Sequence, residues 1–133
     1  IMVMFADRLP DFDAIEEAAR AGMSGVMLDT ARKGSGALRD HLDDQAISAL
    51  LAGAKSLGLM AGLAGSLRLS DIPYLLRLSP DLLGFRGALC RGDRNAGLDL
   101  AAAGEIRAAI PGAGIALHRV RAHLGEAPAQ ALC

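Results

Sequence analysis

Four short runs of unbroken apolar residues punctuate the chain: Met2 to Ala6, Gly25 to Leu28, Leu59 to Ala64 and Leu82 to Phe85. Continuous apolarity, as opposed to alternation, is the mark of a strand covered on both faces, as in a parallel sheet. Each run precedes a segment that reads as a helix. The first is expected to start at Asp13, its carboxylate capping the turn and Glu16 answering three residues later, and to stop at Gly22. The second carries Ile47, Leu50, Leu51, Ala54 and Leu57 at spacings of three and four, starts near Asp43 or Asp44 and ends at Gly58. Ser70 is the expected cap of the third, with Pro73 confined to its first turn. The fourth runs from about Asp99 to Ile110, before Pro111-Gly112.

Strand and helix alternating at roughly thirty-residue intervals implies consecutive right-handed βα units, hence an α/β fold with a parallel sheet. Four units over residues 1–112 make half of a (β/α)8 TIM barrel, or else a small open doubly wound sheet; periodicity does not choose between them. Residues 113–133 form a C-terminal extension. Ala113 to Leu124 allows one more strand and a short helix, and Gly125 to Cys133 is expected to be poorly ordered. Because Ile1 to Phe5 already reads as a buried strand, the chain is expected to be part of a longer polypeptide.

A formal charge of −1 over 133 residues argues against nucleic acid as a partner. No apolar run approaches the roughly 18 residues of a membrane span, and no charged segment precedes a secretory signal, so a cytoplasmic protein is expected. Cys90 and Cys133 form no CxxC pair and are expected to be free thiols, and His118 and His123, five residues apart, share no helical face. The reading calls for no metal and no cofactor.

The connections from helix back to strand are minimal, whereas those after the second and fourth strands run to about a dozen residues, long enough to carry function. They lie at the carboxyl ends of the strands, where parallel α/β folds place their sites. Asp7 and Asp29 each end an apolar run, so each either caps the following turn or points a carboxylate at a common mouth. Lys33 follows Asp29 by four residues and is one of two lysines in a chain otherwise supplied with arginine. An amine can lose its proton where a guanidinium effectively cannot, so Lys33 is a candidate base or nucleophile, paired with Asp29; the alternative is a solvated loop lysine. Lys55, near a helix end, reads as an exposed cation that complements the dipole. Gly65 and Ser66 after the third strand, and Arg86 and Gly87 after the fourth, suit a phosphate held by backbone amides and guanidinium groups, with Arg91 and Arg94 in support. Arg86, after an apolar run, is expected to need an anion to offset its desolvation. Tyr74, on a helix, is expected to pack.

The stretches Gly25-Val26-Met27-Leu28-Asp29-Thr30 with Lys33-Gly34, Gly58-Leu59-Met60-Ala61-Gly62-Leu63-Ala64-Gly65-Ser66-Leu67 and Gly84-Phe85-Arg86-Gly87 with Cys90 and Gly92-Asp93-Arg94 resemble the (5-formylfuran-3-yl)methyl phosphate synthases of methanofuran biosynthesis. The resemblance covers about residues 1–110. It implies a barrel enzyme, similar to class I aldolases, that joins two glyceraldehyde 3-phosphate molecules into a phosphorylated furan aldehyde with loss of phosphate and water. Asp29 and Lys33 fall on an active-site aspartate and lysine of that family. The chain resembles the second half of the barrel, and the family's Schiff-base lysine lies on an early strand without a counterpart here. The alternative function is a non-catalytic phosphate-binding half-barrel that self-associates or pairs with the missing half to bury its open edges.

Overall fold

The computed structural model describes residues 1–32, 34–90 and 97–111. Strands β1 (Met2–Phe5), β2 (Gly25–Asp29), β3 (Met60–Leu63) and β4 (Leu82–Leu83) form one sheet in the order β1-β2-β3-β4, every neighbouring pair parallel. Strand order that never reverses keeps right-handed crossovers on one side of the sheet, the topology of a barrel wall. A doubly wound sheet reverses at a switch point, so that alternative is set aside in favour of four units of a (β/α)8 barrel.

The helices are α1 (Ala14–Arg20), α2 (Leu38–His41), α3 (Asp44–Ser56), α4 (Ile72–Arg77) and α5 (Leu100–Ala109). Asp43 caps α3 by accepting from the Ala46 N–H at 2.8 Å, and Gly58, at φ +73°, ends that segment as its lack of a Cβ permits. Asp99 caps α5 through the Ala101 N–H at 2.9 Å. Two expected caps are not made. Asp13 precedes α1 without a side-chain bond into it: its own N–H is held by Asp11 Oδ1 at 3.0 Å, and Glu16 pairs with Arg20 instead. Ser70 lies inside a short 3-10 turn (Leu69–Asp71) that leads directly into α4, and Asp71 fastens that turn by accepting from the Arg68 N–H at 2.8 Å. The long connection after β2 also contains α2, a helical turn too short to show a periodic pattern.

Pleating separates the sheet's faces. Met4, Val26, Leu28, Ala61 and Leu63 turn toward the helices and are buried with Ile47, Leu50, Leu51 and Ala54 of α3. Each fully buried leucine contributes about 1.5–3 kcal/mol relative to exposure. The opposite face carries the register-aligned row Val3, Met27, Gly62 and Leu82, of which Val3 and Leu82 are 45% and 40% exposed. At the amino ends of the strands, Lys55 does more than face a helix dipole: its Nζ donates to the Ser79 carbonyl and lies 3.6 Å from Asp81 Oδ1, while Asp81 Oδ2 accepts from the Ala61 N–H at 2.9 Å. That cluster staples α3 to the start of β4. No described helix is long and apolar enough to cross a membrane.

Candidate active site

At the carboxyl end of β1 the chain enters a 3-10 turn (Ala6–Arg8) containing Asp7. The Asp7 side chain is 2% exposed. Its Oδ1 accepts from the Ala31 N–H at 2.7 Å and its Oδ2 from the Arg32 N–H at 2.9 Å, with Arg32 Nε 3.7 Å away. These two backbone donors hold the carboxyl below the ordinary aspartate value, against the opposing effect of burial. Asp7 therefore neither caps its own turn nor lines the mouth; it binds the loop that leaves β2. Asp29, the last residue of β2, does line the mouth, and its Oδ1 accepts from the Thr30 N–H at 2.7 Å.

The ends of β3 and β4 supply the opposite wall. Gly65 has φ +99°, and a Cβ there would lie 2.9 Å from Thr30 Cγ2 and 3.0 Å from Thr30 N, so only glycine lets this loop press against the end of β2. Its carbonyl accepts from the Leu38 N–H at 3.0 Å, fixing the start of α2. Ser66 follows at φ 53°, a left-handed conformation that costs a residue with a Cβ about 1–2 kcal/mol. The N–H groups of Gly65, Ser66 and Leu67 donate to no acceptor among the described residues. Arg86 and Gly87 stand where β4 passes into a 3-10 turn (Gly87–Leu89). Arg86 is exposed and makes no ion pair among the described residues, so the expected desolvation requirement does not arise. The Cys90 thiol donates to the Arg86 carbonyl at 3.3 Å.

Asp29, Gly65, Ser66, Arg86 and Gly87 line one open cleft of about 900 Å³ at the carboxyl ends of the strands. Phe5 and Phe85 give it apolar walls. Arg8 and Arg68, which the sequence reading did not single out, line it too, and the Arg8 guanidinium lies 5.6 Å over the Phe5 ring. Their signal was available: each follows a strand end within a few residues, the placement that drew attention to Arg86. With three arginines and one aspartate on its lining, the cleft is suited to a small anion carrying a polar body. Lys33, Arg91 and Arg94 lie outside the described residues. Tyr74 packs between the guanidinium groups of Arg39 and Arg77, at 3.5 and 4.9 Å from its ring centre, away from this lining. No group of three or more metal-ligating side chains occurs among the described residues.

Residues 1–107 match the sequence model of a family described as 4-HFC-P synthase. A relative from Methylorubrum extorquens, provisionally named a (5-formylfuran-3-yl)methyl phosphate synthase, is 47% identical over 100 residues, 74% of this chain and 42% of its own length. A (5-formylfuran-3-yl)methyl phosphate synthase from Methanosarcina mazei is 41% identical over 78 residues, 59% of this chain and 33% of its own length. The chain thus spans well under half the length of these curated relatives. A solved structure of 3-hexulose-6-phosphate synthase aligns at 24% identity with a TM-score of 0.38, covering 81% of this chain and 60% of that one.

Proposed function

We propose a function from one premise: this chain belongs to the 4-HFC-P synthase family, whose sequence model it matches over residues 1–107. The chain is the catalytic-face segment of a cytoplasmic lyase that condenses two glyceraldehyde 3-phosphate molecules into (5-formylfuran-3-yl)methyl phosphate. Asp29 and Lys33 act as an acid/base pair during loss of water and phosphate. In such eliminations a proton leaves carbon beside a carbonyl or imine while a hydroxyl or phosphate departs; a carboxylate accepts the first and an ammonium protonates the second. Gly65, Ser66, Arg86, Gly87 and Arg94 form the phosphate clamp, backbone N–H groups meeting the oxygens and guanidinium groups neutralising the charge. The observation that carries this reading is the shared lining of one cleft by Asp29, the Gly65-Ser66 loop and Arg86.

Arg86→Ala in the full-length protein tests the clamp. Hydrogen bonds to charged groups contribute about 1.5–3 kcal/mol, so KM for glyceraldehyde 3-phosphate is expected to rise about ten- to hundredfold, with thermal stability unchanged because Arg86 is exposed. An unaltered KM would remove Arg86 from the clamp.

The row of Val3, Met27 and Leu82, exposed at Val3 and Leu82 and half-buried at Met27, favours a second reading, that the half-barrel pairs with another half, in a homo-oligomer or with the missing one, burying this face as a barrel interior is buried. Solution mass separates the two states of the isolated chain: pairing predicts twice 13.7 kDa, and a monodisperse monomer would argue against it.

A further inference from the structure

We propose that Asp7 is a positioning residue: its carboxylate fastens the loop that leaves β2 directly after Asp29, so that the Asp29 carboxylate meets the cleft in one geometry. This rests on the acid/base reading of Asp29 with Lys33. Asp7 reaches the Ala31 and Arg32 N–H groups, at 2.7 and 2.9 Å, across 24 and 25 residues of sequence. It is therefore a tie between the ends of two strands and not a local turn bond. Its side chain is 2% exposed and lies off the cleft lining. A second tie closes the same loop further on, where Leu38 N–H donates to the Gly65 carbonyl at 3.0 Å. Between the two, Gly65 presses on Thr30 with no room for a Cβ. Ala31 and Arg32 on one side and Leu38 on the other are thus each held by a bond from a neighbouring strand end. Nothing else among the described residues accepts from the Ala31 or Arg32 N–H. Loss of the Asp7 carboxylate frees the end nearer the chemistry, and misplacement of catalytic groups by about 1 Å costs on the order of a hundredfold in rate.

Asp7→Asn keeps the side chain's shape but replaces one acceptor oxygen with a donor that faces a backbone N–H. In the 133-residue chain, amide hydrogen exchange at Ala31 and Arg32 is expected to quicken tenfold or more, whereas Ala64, whose N–H donates to the Leu28 carbonyl at 2.7 Å, keeps its rate. In the full-length protein kcat is expected to fall about ten- to hundredfold with KM for glyceraldehyde 3-phosphate little changed. Unaltered exchange at both amides in folded Asp7→Asn overturns the inference, as does a raised KM with kcat intact, which would make Asp7 a ligand-binding group. Should the variant fail to fold, the unmodified chain supplies the test. The Ala31 and Arg32 amide proton shifts should move together as pH falls below the ordinary aspartate range and Asp7 gains its proton, with Arg32 and His41 the other charged or titratable groups that bear on it. Shifts that ignore this titration overturn the inference equally. If Lys33→Ala kept full turnover, the acid/base reading would fail while the amide results stood, so the two failures are distinguishable.

Discussion

Lys33→Ala in the full-length protein is expected to lower turnover by about a hundredfold to ten-thousandfold, the usual contribution of a general acid or base, and to leave the fold intact. The argument is chemical. Arginine supplies the other cations at strand ends, at Arg8 and Arg86, and a guanidinium stays protonated at any working pH. A site that needed only positive charge would be served by arginine. Lys33→Arg therefore separates charge from proton transfer: it is expected to be nearly as slow as the alanine variant, because it restores the cation without a titratable amine. Turnover at the original rate in Lys33→Ala, measured with glyceraldehyde 3-phosphate, would end its assignment as an acid/base group.

Gly65→Val carries the largest expected effect on the scaffold. Two costs coincide there. The backbone sits at φ +99°, which a β-branched residue avoids, at about 1–3 kcal/mol. The added Cβ would also stand 2.9 Å from Thr30 Cγ2 and 3.0 Å from Thr30 N, and crowding of that kind costs a further 1–3 kcal/mol or so. Thr30 is fully buried and cannot swing aside cheaply. Together these predict a loss of about 2–6 kcal/mol by chemical denaturation. Because the clash falls between the Gly65-Ser66 loop, the proposed phosphate cradle, and the residue after Asp29, any folded fraction should also bind inorganic phosphate more weakly. A valine variant as stable as the parent would show that the two loops do not approach as described.

How much of this was legible in the sequence depended on the range of each interaction. The caps at Asp43 and Asp99 and the stop at Gly58 were readable because donor, acceptor and conformation all lie within a few residues. The capping box expected at Asp13 and Glu16 failed because Asp11 and Arg20, equally local, competed for the same groups. Strand order was invisible to periodicity, since four βα units write the same pattern whether or not the sheet reverses. Lys55 was read from its own helix, but its partners, Ser79 and Asp81, come from the next βα unit. The same limit hid the bonds of Asp7, whose partners lie on the neighbouring strand's loop. The position of a charged residue after an apolar run placed it at the carboxyl end of a strand, but its partner across the sheet is a property of the fold.

The central claim is that the carboxyl ends of β2, β3 and β4 form one anion-binding cleft beside Asp29. Titrating the 133-residue chain with inorganic phosphate while following backbone amide shifts tests it most directly. The account predicts that Thr30, Gly65, Ser66 and Gly87 shift together along one binding curve. Shifts confined to the opposite ends of the strands, around Gly22, Gly58 and Asp81, would contradict it.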